Sequence, residues 1–326
     1  MKVYISISIE DNSKGGGVNF LRYLSKYLDN QELLTSDYRL ADIILINSHH
    51  NVFKNLLLKF LYPKKIYVHR IDGRISNHRP GKYWDKIIEI QNKYISNSTI
   101  YQSLWSKIEW QKQLSSINYK IIHNRADPEI FNCNQPKILS NTPKLIFVSW
   151  SNNPNKGRTY LNYLIKNRKP NQYELKIVGN LTVANLDAPK LVINHREIAR
   201  QYHESDIFVF PAENESCSNA LIEAQACGLP ILALNSGGNP EIVLKSGIIF
   251  NNEIEMMAGI ERICSNYVSY SLEALELTKA RETEKVYKEY FLNQIKVGPS
   301  SNRFQRFRLI QAFLLILMAS IEKHLN

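Results

Sequence analysis

The chain has 326 residues, 44% of them hydrophobic, which suits two domains of about 150 residues, each with an ordinary apolar core. A formal net charge of +11 favours anionic partners: a nucleotide diphosphate, an anionic membrane surface or nucleic acid. The four cysteines, Cys133, Cys217, Cys227 and Cys264, form no Cys-x-x-Cys pair and no Cys/His cluster, which argues against a disulfide framework or a zinc site and for a reducing, cytoplasmic setting.

The start MKVYISISIE alternates apolar and polar residues and is broken by Glu10 and Asp11, so it reads as a strand over 3–9 rather than a signal peptide. A Gly-rich loop over 11–17 follows, then an amphipathic helix over 18–28. Gly15, Gly16 and Gly17 offer a bare backbone that a phosphate or sugar can approach, but they lack the spacing of a dinucleotide fingerprint. Strands are expected over 43–47, 66–69, 99–102 and 120–123, alternating with helices over 52–61, 84–95 and 104–114. Repeated β-α units call for a parallel sheet covered on both faces. A Pro- and Asn-containing stretch over 133–144 reads as a linker, giving domains over 1–135 and 144–296 and a terminal helical segment over 297–326.

A second β-α series begins with a strand over 145–150 and the loop SWSNNPNKG over 149–157, which carries Lys156 just before Arg158. A helix over 160–166, strands over 174–178 and 191–193 and a helix over 198–203 lead to a buried strand over 206–210. After that strand a polar turn carries Glu215. Ser216, Cys217, Ser218 and Asn219 open a helix holding Glu223, closed by Gly228 and Pro230 before a strand over 231–234 and the loop Gly237-Gly238-Asn239-Pro240-Glu241. A helix N-terminus at the C-terminal edge of a parallel sheet suits a diphosphate, because its free amides and dipole favour negative charge. A strand over 248–250 and helices over 254–265 and 272–290 complete the series.

The block from Phe210 to Val243 resembles the signature of retaining glycosyltransferases of the GT-B fold, glycogen-synthase-like family 4. The resemblance implies an α/β architecture of two Rossmann-like domains with parallel sheets facing across a cleft, the first binding the acceptor and the second a nucleotide-diphosphate sugar. It implies that Glu215 lies near the donor sugar, that Glu223 accepts hydrogen bonds from the ribose hydroxyls, and that Lys156 grips the diphosphate. Serine stands at position 151 where the family usually carries arginine, and Arg158 is the candidate substitute. His69, after the strand over 66–69, corresponds to a histidine close to the reacting carbon, and Gly16 and Gly17 to the family's N-terminal Gly-Gly loop. The segment NRADPEIF over 124–131 resembles a crossover segment and reads as a hinge strut. No Asp-x-Asp motif occurs, so a metal-independent, retaining transfer to a glycan, lipid-linked or small-molecule acceptor is expected, in surface polysaccharide or glycolipid synthesis, with no cofactor beyond the donor.

Two stretches combine apolar runs with basic residues: 53–65, with four lysines, and RFQRFRLIQAFLLILM over 303–318. Each fits peripheral contact with an anionic cytoplasmic membrane face; the alternative is that 56–61 packs on the sheet and the C-terminal helix crosses back to the first domain, and the apolar part of 303–318 is too short to span a bilayer. Three other readings remain: a Rossmann oxidoreductase, which lacks its glycine fingerprint; a basic nucleic-acid-binding protein, for which no recognition motif appears; and a catalytically inactive GT-B scaffold.

Overall fold

Short β-branched strands alternating with amphipathic helices build two five-stranded parallel sheets in a computed structural model, which describes residues 1–7, 16–114, 118–183, 194–299 and 305–325. The chain divides into a first unit, Met1–His123 with Thr283–Asn326, and a second unit, Asn124–Glu282.

The first unit holds β1 (Val3–Ile5), α1 (Gly16–Asn30), β2 (Ile43–Asn47), α2 (Val52–Leu61), β3 (Ile66–Ile71), α3 (Tyr83–Ile90), β4 (Ser98–Tyr101), α4 (Leu104–Trp110) and β5 (Tyr119–Ile121). The sheet order is β1-β2-β3-β4-β5, all parallel. Leu34 adds a parallel bridge to Val3, so the chain leaves β1 through α1, touches down beyond β1, and returns to β2 on its other side. That reversal is a topological switch point, which in doubly wound sheets opens a crevice at the carboxyl ends of the strands. Of the expected strand over 3–9 and loop over 11–17, residues 8–15 lie outside the described residues; Gly16 and Gly17 begin α1.

The second unit contains β6 (Lys144–Ser149), α5 (Arg158–Asn167), β7 (Glu174–Gly179), α6 (His195–His203), β8 (Ile207–Phe210), α7 (Asn219–Ala226), β9 (Ile231–Leu234), α8 (Asn239–Val243), β10 (Gly247–Phe250), α9 (Glu253–Ser265) and α10 (Tyr267–Ala280). The order β10-β9-β8-β6-β7 places its switch point between β6 and β8. Leu221, Ile222, Ile198 and Tyr202 cover one face, and Leu161, Leu164, Met256 and Ile260 the other. The expected strand over 191–193 lies outside the described residues.

Two expected boundaries differ from the structure. Residues 124–131 pack into the second unit: Ala126 and Phe131 join its core, and the Asn124 amide donates to Cys217 Sγ at 3.3 Å. The helix expected over 272–290 is two helices, α10 and α11 (Thr283–Val297), and the break is where the chain changes unit. The half-buried Arg281 donates to Gln225 Oε1 in the second unit, while Thr283 Oγ1 donates to the His123 carbonyl in the first. Tyr287, Tyr290 and Phe291 of α11 then cover the face of the first sheet that also receives Phe20, Leu21 and Leu24 of α1. The opposite face is closed by α2, α3 and the terminal helix α12 (Gln305–Leu325), through Leu309, Ala312 and Ile316. No helix among the described residues is long and apolar enough to cross a membrane.

Candidate active site

In the second unit the loops after β6 and β8 meet at the switch point. Lys156 ends a single 3-10 turn, Pro154–Lys156, capped by Asn153, whose side chain accepts from the Asn155 amide. The Lys156 ammonium forms an ion pair with Glu215 Oε1, and both side chains remain about one-fifth exposed. The two loops are fixed to each other by backbone: the Glu213 amide donates to the Asn155 carbonyl at 2.8 Å. Gly157 has φ +84, and a Cβ there would sit 2.4 Å from the Pro211 carbonyl oxygen, so only glycine lets the chain turn into α5 against β8.

The Gly-Gly loop supports Glu215 from the other side. The Gly238 amide donates to the Glu215 carbonyl at 2.7 Å, and a Cβ on Gly237, at φ +61, would approach that oxygen to 2.3 Å. Asn214, itself at positive φ, donates its amide to Ser236 Oγ, and the buried Asn239 side chain donates to the carbonyls of Ala212 and Leu234. Glu215 is therefore held at its backbone while its carboxylate stays with Lys156. The Ser236 and Asn239 braces are further members of the site; the turn chemistry of the Gly-Gly-Asn-Pro run is their only sequence signal.

Helix α7 begins at this edge of the sheet. Ser218 caps it by accepting from the Leu221 amide, while Ser216, Cys217 and Ser218 are buried. Cys217 and Asn219 face inward: the Asn124 side-chain amide donates to the Cys217 carbonyl and to Asn219 Oδ1. One turn along, desolvation pushes the Glu223 carboxyl up to about 8, although part of the residue's surface stays open to solvent. That carboxyl also raises the Tyr202 and Cys227 side chains, whose main perturbation is burial. An enclosed carboxyl with no cation beside it among the described residues suits neutral hydroxyl donors.

Arg158 lies elsewhere. Its guanidinium donates to the Asn152 carbonyl and to Asn152 Oδ1 at 2.7 Å, and so braces the 150–153 loop from the first turn of α5. Ser151 serves the same loop, its hydroxyl accepting from the Asn153 amide.

In the first unit, Gly17 comes against the carboxyl ends of β2 and β3: a Cβ there would lie 3.5 Å from Asn47 Nδ2 and Asp72 Oδ2, and 3.7 Å from an Arg70 terminal nitrogen. The fully buried Arg70 donates to Asn47 Oδ1 at 2.8 Å, rests over Phe20, and faces the half-exposed carboxylate of Asp72. His49 and His50 stack with ring centroids 4.3 Å apart in the loop after β2. Burial, with the charges of His50 and Arg79, lowers His49 to about 4, and burial lowers His50 against the pull of Asp72. Both rings are therefore neutral at physiological pH.

His69 stands apart from that edge. β3 runs two residues beyond it, so it sits inside the strand, fully buried; its Nε2 donates to the Ser48 carbonyl at 2.8 Å and its Nδ1 accepts from Asn92 Nδ2 at 3.3 Å. Burial lowers it to about 4. In this unit its ring orders the loop after β2, where His49 and His50 are the histidines with exposed surface.

Residues 142–266 match the family described as glycosyl transferases group 1. Most of the second unit is thus similar to glycosyltransferase domains of that family. Over 278 residues, 79% of this chain and 79% of that protein, the sequence is 24% identical to the O-antigen biosynthesis glycosyltransferase WbnH of Escherichia coli. A stretch of 91 residues is 35% identical to a D-inositol 3-phosphate glycosyltransferase of Paenarthrobacter aurescens, covering 23% of this chain and 22% of that one. Among solved structures, sucrose-phosphate synthase from Thermosynechococcus elongatus superposes with a TM-score of 0.69 at 13% identity, over 90% of this chain and 99% of that one. HepE of Anabaena in complex with UDP-glucose does so with 0.68 at 14% identity, over 90% and 99%. These likenesses show the GT-B fold.

Proposed function

We propose that the protein is a retaining glycosyltransferase that takes its sugar from a nucleotide-diphosphate donor bound in the second unit. The observation that carries this is the Lys156–Glu215 pair held at the β6/β8 switch point, beside the N-terminus of α7 and the enclosed Glu223. A diphosphate entering there would draw Lys156 from Glu215 and meet the first-turn amides of α7. Glu215, released from its cation, would face the sugar, and Glu223 would accept from the two ribose hydroxyls. In the reaction, the bond from the anomeric carbon to the leaving phosphate oxygen breaks and its electron pair departs with the diphosphate. The acceptor hydroxyl oxygen bonds the same face of that carbon, and its proton passes to the departing phosphate. Lys156 and the helix terminus stabilise the growing charge without a divalent cation.

The acceptor reading is a glycan or lipid-linked sugar in surface polysaccharide synthesis, supported by the likeness to WbnH along most of both chains. The polar edge formed by Gly17, His49, His50 and Asp72 supplies hydroxyl-recognising groups in the first unit. The test is a nucleotide-sugar screen followed by NMR of the first product formed. The expected product keeps the donor's anomeric configuration; an inverted anomer would refute retention.

A further inference from the structure

Helix α12 lacks a polar side. Leu309, Ala312, Ile316 and Ala319 form the stripe buried on the first unit, and a second apolar stripe faces outward: Phe307, Ile310, Leu314, Leu317 and Ile321, from 39% to 68% exposed. The spacing of three and four residues aligns that stripe along one face through about four turns of helix. A surface helix packed on a sheet ordinarily carries charged residues there, and α12, long enough but not apolar enough to span a bilayer, instead presents leucine and isoleucine.

The stripe does not end with α12. Phe313 meets Phe53 of α2 edge to face at 6.3 Å, and the Arg306 guanidinium lies 5.6 Å over the Phe60 ring. Leu57 and Leu61 of α2, both more than half exposed, extend the patch. Two segments some 250 residues apart in sequence thus form one apolar face of the first unit. Its border is basic: Lys54, Arg306 and Lys323 are exposed, Arg308 lies over Tyr94, and the only acidic residue of the two helices is Glu322.

From this face we infer a peripheral membrane anchor: α2 and α12 lie in the interface of an anionic bilayer, with their apolar stripes among the acyl chains and the basic border on the headgroups. Charge decides between this occupant and a second copy. A twofold contact through the face would set two basic borders against each other, whereas anionic headgroups neutralise them. The inference rests on the first unit alone and does not depend on the sugar chemistry proposed for the second.

Co-sedimentation of the 326-residue chain with phosphatidylcholine vesicles, with and without phosphatidylglycerol, tests it. Binding is expected to the anionic vesicles and to weaken as salt rises from about 0.15 to about 1 M, which shortens the screening length from about 8 to about 3 Å. Replacing three outward residues together, Ile310→Ser, Leu314→Ser and Ile321→Ser, should lower binding at least about tenfold while the thermal midpoint is retained. Lys54→Glu with Arg306→Glu, which leaves the apolar stripes in place, should abolish the anionic preference. Absence of binding to anionic vesicles, equal binding to both kinds, or unchanged binding by both variants would overturn the anchor. So would light scattering that shows a dimer dissolved by the serine substitutions, which would assign the face to a second copy.

Discussion

The two units build the same kind of crevice from different kinds of sequence. In the second, a single block from Phe210 to Val243 supplies Glu215, the α7 N-terminus, Glu223 and the Gly-Gly brace, and one neighbouring loop adds Lys156. In the first, the switch-point edge is assembled from Gly17 on α1, Asn47 and two histidines after β2, and Arg70 and Asp72 from β3 and its end. The second crevice is an ion pair poised beside a desolvated carboxyl; the first is a neutral histidine stack beside a carboxylate backed by a buried arginine. The difference suits a fixed, highly charged ligand in one unit and hydroxyl-bearing ligands in the other.

Lys156→Ala is the sharpest way to break that contrast. A charge-assisted hydrogen bond to the leaving diphosphate contributes about 1.5 to 3 kcal/mol, so turnover should fall by roughly tenfold to more than a hundredfold, in kcat at least as much as in KM. Arg158→Ala, which only loosens the 150–153 loop, should cost far less. If the order is reversed, the diphosphate grip lies with Arg158. On the first unit, Asp72→Asn should lower transfer by roughly tenfold through weaker acceptor positioning. Nucleotide affinity measured by calorimetry should stay at the wild-type value, and a parallel loss of nucleotide binding would erase the division of labour.

Proton linkage sharpens the comparison further. If Glu223 takes the proposed ribose contacts, its ionised form is the stronger acceptor for two hydroxyls, so nucleotide affinity should rise with pH by up to about tenfold per unit until the carboxyl titrates near 8, and Glu223→Gln should flatten the profile. The bare protein should show the opposite slope. Because the folded pKa is raised above 4.5, the fold favours the protonated carboxyl; the stability this contributes is present below the unfolded value and lost as pH climbs toward about 8. Thermal midpoints across that window should therefore fall in the wild type and less in Glu223→Gln. The smallest effect is expected from EDTA, which should leave the transfer rate unchanged; a loss restored by manganese would place a cation where Lys156 and α7 are assigned.

Most of the second site was readable because its residues from Glu215 to Glu241 are close in the chain and punctuated by glycine and proline, with Lys156 on a separate loop. Elsewhere the local signals were weaker. His69 reads as a strand end, but Arg70 and Ile71 continue β3, which is buried along its whole length, and the imidazole is buried with it. His49 and His50 carry no local pattern; their place at the end of β2 follows from the sheet topology. The break between α10 and α11 has neither glycine nor proline: it is made by Arg281 and Thr283 bonding to different units, a tertiary cause without a local mark. The apolar runs over 53–65 and 303–318 were visible separately, but their union into one face depends on α12 returning to lie beside α2.

That return has a consequence for synthesis. The first sheet lacks the helices α11 and α12 that close its two faces until the ribosome has passed Thr283, so the second unit, contiguous from Asn124 to Glu282, emerges and folds while the first is still incomplete. During that interval the apolar surface awaiting Tyr287, Phe291 and Ile316 stands open to chaperones or to aggregation. Chains interrupted before residue 283 should accumulate as a folded second unit trailing an amino-terminal sheet susceptible to protease.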